Sequence, residues 1–382
     1  MPPKTYMVVD PRHDHSMRIP RPDLSVALGT PNACNVCHTE QSPQWAADQL
    51  EKHHGKSRKG RQQYAATFAA ARQQLPGAGR RLTTLLKNQD LPDIARATAL
   101  GHLSANQDPQ MLSALQAGLT DDDPIVRMGA LDTLQHLAPQ ERVAAFPLLD
   151  DEVTAVRIEA ARVLAGIPIG NLGEVEQQRL QRGFMEYVES QQFNSDRPEA
   201  QTNLGGFYGS VGDDRKAEAA YRQALKLQPK YIPARVNLAQ LLSTTGREEK
   251  SGELLRQGLR DNPESADLHH ALGLSLIRQG QAADAVAELA EAAQLAPDNA
   301  RYSYVYAVAL NSQDGTDQAL TVLEHAHERN PANVDVLLGL ITINRDAGNP
   351  DNAMRYARKL DQLIPNNPEI RQLLLELELE EN

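Results

Sequence analysis

The chain is poor in cysteine, with two in 382 residues, and poor in aromatic side chains at 4%. It has no run of 18 apolar residues, which excludes an apolar helix spanning a bilayer. Among the Lys and Arg residues there is no long basic run. Together with a net charge of -11, this disfavours nucleic acid as a partner, because that affinity rests on neutralising phosphates. No Gly-rich phosphate loop, nucleophile elbow or metalloprotease string occurs, and paired carboxylates fall only in acidic turns such as Asp121-Asp122-Asp123, where helix capping accounts for them. No catalytic residue is assigned. The opening Met1-Pro2-Pro3-Lys4-Thr5-Tyr6 has no apolar core after its positive charge, so a secretory leader is not expected at this start.

What is abundant is alanine, leucine and glutamine, a balance that favours helices over strands. Prolines stand at Pro229, Pro263, Pro297, Pro331 and Pro365, each 34 residues after the last, and Gly212, Gly246, Gly280 and Gly348 keep the same period. Gly315 falls one residue out of step. A 34-residue period is that of the tetratricopeptide repeat, a helix-turn-helix unit. In the first unit Leu204, Gly205, Tyr208, Ala217, Tyr221 and Ala224 supply the small and large positions that let two helices approach. Pro368 to Leu379 reads as a capping helix with a polar outer face. Asn203, Asn237, His270, Arg301 and Tyr304 fall on first helices at positions that could face a groove, with intra-repeat packing as the competing reading of each.

Upstream, Arg96, Arg127 and Arg157 recur 31 and 30 residues apart, each in a helical string that follows an acidic turn. This pattern looks like HEAT repeats, again an α-solenoid. A helix over 174–192 connects the two arrays, with Leu180, Phe184 and Val188 as its expected buried stripe. The fold class is therefore all-α. The domains expected are a haem-binding segment over 1–62, HEAT-like repeats over 63–170, a connector over 171–196 and a tetratricopeptide array over 197–382.

The first 60 residues differ in kind, holding seven of the 23 prolines and five of the 11 histidines. Both cysteines lie here, in Cys34-Asn35-Val36-Cys37-His38. C-x-x-C-H is the attachment signature of a c-type haem: two thiols on one helical turn add across the two porphyrin vinyl groups, and His38 is the proximal iron ligand. Trp45 is the expected packing partner. For the far side of the iron, His15 is the first candidate and His13 the second, with Met17 nearby. His53 and His54 read as partners of a helix C-terminus. A thiol-disulfide motif and a zinc site using Cys34, Cys37, His38 and either His53 or His54 are the other readings of the cysteines.

The strings Met1 to Arg12, Asp14-His15-Ser16-Met17-Arg18, Pro20-Arg21-Pro22-Asp23-Leu24-Ser25 and Gly29-Thr30-Pro31-Asn32-Ala33-Cys34, with the order of the repeats behind them, resemble the later part of bacterial multihaem c-type cytochromes fused to HEAT and tetratricopeptide repeats. The resemblance implies covalent haem c on Cys34 and Cys37, His38 and His15 as axial ligands, an earlier C-x-x-C-H ahead of Met1, and a periplasmic or other extracytoplasmic site. It implies electron transfer, with protein and redox partners held by the solenoids. The alternative is a non-redox scaffold that binds a protein partner, with the haem motif unused. A haem enzyme with an open iron site is the third reading.

Overall fold

A computed structural model describes residues 3–6, 10–13, 20–55, 62–104, 110–168, 172–364 and 367–380. The chain divides into two compact units, Met1–Ala70 and Ala71–Asn382. Among the described residues every regular element is helical except for one hairpin. No described helix is long and apolar enough to cross a membrane.

In the first unit, strands β1 (Pro3–Tyr6) and β2 (Asp10–His13) pair antiparallel, with Pro3 opposite His13 and Tyr6 opposite Asp10. Every strand of a two-stranded hairpin is an edge, so Pro3 and Pro11 are tolerated there. Helices α1 (Pro22–Leu28), α2 (Cys34–Cys37), α3 (Pro43–His54) and α4 (Ala65–Arg72) follow. Pro22 and Pro43 start their helices in the first turn, where a missing N–H costs nothing.

The second unit begins with α5 (Ala78–Leu86), α6 (Asp93–Gly101), α7 (Met111–Leu119), α8 (Pro124–Gln135), α9 (Pro139–Arg142), a 3-10 helix over Val143–Asp150, and α10 (Thr154–Leu164). The periodic arginines tie these helices together. Arg96 on α6 bridges Asp93 and Asp121. Arg127 on α8 bridges Asp151 at 2.8 Å and donates to the carbonyls of Asp121 and Asp122. Arg157 on α10 bridges Glu186 at 2.9 Å and donates to the carbonyl of Asp151. Each arginine thus braces its own acidic turn, the next one, or both. The aspartates also cap: Asp123 accepts from Ile125 N at 2.8 Å and Asp151 from Val153 N at 2.8 Å.

The connector, α11 (Glu174–Phe193), turns its expected stripe to the core, with Phe184 and Val188 packed against Ala165, Tyr187 and Phe207, and adds two buried residues to it. Leu180, Gly183 and Tyr187 are buried, while Phe184 and Val188 flank them half-exposed. Gly183 was overlooked because it has no side chain to signal burial. A Cβ there would come within 2.8 Å of Leu149 and 3.0 Å of Ala161. Burial against Ala165 and Phe207 pushes the Tyr187 phenol up to about 12.

Five helix pairs follow: α12 (Pro198–Ser210) with α13 (Asp214–Leu227), α14 (Ile232–Thr244) with α15 (Glu248–Asp261), α16 (Ala266–Arg278) with α17 (Ala282–Leu295), α18 (Ala300–Asn311) with α19 (Thr316–Arg329), and α20 (Val334–Asp346) with α21 (Pro350–Leu363). Helix α22 (Pro368–Glu380) closes the array, burying Ile370 and Leu377 against the last pair. Within the first pair the helices meet at Gly205, where a Cβ would lie 2.4 Å from the Tyr221 ring. That glycine and tyrosine are the small and large partners the repeat pattern called for.

The turn inside each pair is built in one way. A backbone N–H closes a six-residue loop onto the preceding helix, from Asp213 to Tyr208, Arg247 to Leu242, Gln281 to Leu276, Gly315 to Leu310 and Asn349 to Asn344. The residue before that donor is left-handed, a Schellman-type ending. It is glycine in four pairs, and in the fourth it is Asp314 at φ 60°. This explains why Gly315 is out of step in the sequence: the turn itself keeps its period.

Candidate functional site

In the first unit the cysteine motif is held from both sides. Asn32 accepts from Asn35 N at 3.1 Å and donates to Ser25 Oγ at 2.9 Å. Asn35 donates to the Gln41 carbonyl at 2.6 Å. The single turn α2 places Cys34 and Cys37 three positions apart on one side of the helix, and His38 N donates to the Cys34 carbonyl at 2.8 Å. Both thiols are free, Cys34 half-buried and Cys37 exposed. Ser42 caps α3 by accepting from Trp45 N at 3.1 Å, which sets the Trp45 indole 4.9 Å from the exposed His38 imidazole.

This donor set fits a covalently attached haem. Two accessible thiols are presented by one turn, with an imidazole next in sequence and an indole beside it. Val26 and Val36, each about half exposed, and the single buried side chain of α3, Ala46, leave the segment with little apolar core of its own. His15 lies outside the described residues, as do Met17 and Pro365, and His13 ends β2 with its side chain outside them. Among the described residues no three of His, Cys, Asp and Glu converge as a metal cluster, so the ligands of the zinc reading are not gathered. His53 and His54 are exposed in the last turn of α3, the position expected for partners of a helix C-terminus.

In the second unit the five groove residues part ways. Asn203 is exposed and donates to Gln191 Oε1 at 3.1 Å. Asn237 and Arg301 are exposed on α14 and α18. Tyr304 is half-buried and faces the position of Gly339, where a Cβ would come within 3.1 Å of its ring. It fills the space between successive first helices and is lost to the groove. His270 is only 9% exposed and stacks on Tyr302, ring centres 4.5 Å apart and planes 29° from parallel.

His270 belongs to a cavity of about 260 Å³ between α14 and α16, floored by α15 and edged by Tyr302. Ile232, Val236, Leu255 and Leu274 give it apolar walls, and Asn237 stands at the same cavity. Burial, with the nearby Arg301 charge, pushes the His270 imidazole down to about 4, so it is neutral at pH 7. The Tyr302 phenol is raised by burial and by donating to Asp267. Arg278 pairs with Glu248 at 2.9 Å, and Glu248 also accepts from Ser275 at 2.5 Å. Sequence reasoning found His270 and Asn237 but missed Ser251, Asp267 and Tyr302. Ser251 is on a second helix, at the period position that Ala217, Ala285, Ala319 and Ala353 fill as buried packing residues in the other pairs.

Comparison with known proteins bears on this half of the chain. Family profiles described as tetratricopeptide repeat match residues 212–275 and 312–377, and a further one matches 270–315. No curated protein matches the chain. Similar solved structures include PilW, described as a widely conserved type IV pilus biogenesis factor, at 18% identity over 59% of this chain and 99% of that one, with a TM-score of 0.44. YrrB, described as a TPR protein with an unusual peptide-binding site, is 19% identical over 49% of this chain and 96% of its own, TM-score 0.37. A thermophilic TPR protein of Thermus thermophilus is 19% identical over 48% of this chain and 99% of its own, also at 0.37. Residues 212–377 are tetratricopeptide repeats by sequence, and the helix pairs described above are built as such repeats.

Proposed function

We propose that the chain is a protein-binding scaffold whose tetratricopeptide array holds an extended segment of a protein partner along its first helices, with HEAT-like repeats ahead of it as a second solenoid. The observation that carries this reading is the lined cavity between α14 and α16, with exposed Asn237 beside it and exposed Asn203 and Arg301 on neighbouring first helices. The arginine bracing of successive acidic turns supports the HEAT-like assignment, since Arg96 and Arg127 make the same contact to the next turn and Arg157 reaches the connector helix from the same position.

The test is selection of random peptides displayed on phage against the full chain, followed by affinities of the enriched peptides. Peptides that bind, and that lose at least about tenfold in affinity in Asn237→Asp but not in Arg222→Ala on a second helix, are expected. That loss corresponds to about 1.4 kcal/mol, the size of a truncated interface contact. Binding indifferent to Asn237 would remove the groove from the function.

A second reading, favoured by the two free thiols on one turn beside His38 and Trp45, makes the first unit a c-type cytochrome module carried on that scaffold. Cys34 and Cys37 would hold the haem and His38 its iron, with His15 or His13 opposite. The haem supplies one-electron redox chemistry, and the protein tunes it through axial ligand and burial. In this form the chain is extracytoplasmic and meets redox partners. The measurement is intact mass and visible spectra after export to a periplasm with c-type haem maturation. One haem added, absent in the variant carrying Cys34→Ala and Cys37→Ala, is the expected result. A folded chain of unmodified mass would leave the scaffold alone, and a high-spin spectrum would point to an open iron site.

A further inference from the structure

The cavity between α14 and α16 has two features that a plain packing defect does not share. Ser251 and His270 both line it, Ser251 fully buried and His270 only 9% exposed. Ser251 Oγ and His270 Nδ1 are buried with no hydrogen-bond partner in the protein. Buried polar atoms are almost always paired, because an unpaired one forfeits the hydrogen bonds it made with water. Two such atoms at one apolar cavity point to a ligand that completes them.

The chemistry of that ligand follows from what surrounds it. The charges at the cavity already oppose one another: Arg278 pairs with Glu248, and Asp267, which accepts from the Tyr302 hydroxyl, acts on His270 with the opposite sign to Arg301. An ionic group entering would therefore be desolvated with no net charge to answer it. Burial first, and the Arg301 charge second, keep His270 neutral, so it offers a neutral donor or acceptor. The walls are aliphatic, and the volume of about 260 Å³ exceeds the roughly 150 Å³ cavity that suffices for benzene. Serine or threonine would leave most of that space empty. An indole N–H only donates, whereas a phenol oxygen both donates and accepts, matching a hydroxyl and a neutral imidazole together.

We infer that this cavity is a specificity pocket for a tyrosine side chain on the partner's extended segment, its ring between the walls of α14 and α16 and its hydroxyl completing Ser251 and His270. This rests on the groove reading proposed above and names what the groove selects.

The test uses the full chain and four small probes, followed by NMR on the His270 imidazole and by titration: p-cresol as the tyrosine side chain, toluene as the same body without the hydroxyl, p-toluate as its anionic counterpart and 3-methylindole as an indole. p-Cresol is expected to bind about fivefold more tightly than toluene, the worth of one neutral hydrogen bond. That advantage should vanish in Ser251→Ala, which leaves the apolar walls intact, and in His270→Phe, which keeps a ring against Tyr302. Equal binding of toluene, tighter binding of p-toluate or 3-methylindole, or no p-cresol shift at His270 each overturns the proposal. The comparison of probes on the unaltered protein stands even if a variant fails to fold. The displayed peptides separate this claim from its premise: groove-binding peptides without an enriched tyrosine refute the pocket and leave the groove, while a selection that yields no binders at all refutes the groove itself.

Discussion

Asp314 holds a position that four other turns give to glycine. Its φ of 60° is a conformation in which Cβ crowds the following carbonyl, at a cost of about 1 kcal/mol that is smaller for aspartate than for most residues. The side chain is exposed, so a substitution there tests the backbone alone. Asp314→Gly removes the crowding but loosens the unfolded chain, and these oppose each other to within about 0.5 kcal/mol. Asp314→Ala keeps the crowding and loses the greater tolerance of aspartate for this region. The expected order of stability in urea is therefore glycine at or slightly above aspartate, with alanine below both by about 1 kcal/mol. An alanine variant as stable as the parent would show that the turn in this pair does not depend on its left-handed residue.

At the scale of elements, the sequence was most legible where one residue type recurs at a fixed step. The period of proline and glycine located all five helix pairs, since a left-handed turn residue and a helix-breaking ring leave visible marks. Arg96, Arg127 and Arg157 were visible as a repeat, but their role was not. What each one touches lies 24 to 29 residues further on, at Asp121, Asp151 and Glu186, and a contact between units has no local signature. The connector shows the same limit. A stripe of Leu180, Phe184 and Val188 follows from apolar residues alone, whereas the buried face also holds Gly183, which close packing selects and hydrophobicity does not register. The candidate site was half legible for this reason. Cys34, Cys37 and His38 declare themselves by rarity and spacing, and His270 by its place on a first helix. The pocket around His270 needed four helices assembled, because its unpaired hydroxyl sits on α15 and its edge is Tyr302 on α18 of the next pair.

For the second unit as a whole, stability should be local, because each pair meets only its neighbours and a repeat array is held by nearest-neighbour terms. Helix α22 is the place to test this. Its Leu377 is fully buried in a cluster with Leu360 and Met354 of α21, while its outer face carries Glu369 and Glu378, both exposed. Leu377→Asp loses the burial of a leucine and places a carboxylate in an apolar site, about 3 kcal/mol or more in the pair that α22 covers. Amide hydrogen exchange in α20 to α22 is expected to accelerate by about two orders of magnitude. Exchange in α12 to α15 should stay within about twofold of the parent, since no described contact joins those helices to α22 and loss at one end is carried inward only through successive interfaces. Equal acceleration along the whole array would instead make the five pairs one cooperative body, and the groove would then lose its binding surface whenever its far cap opened.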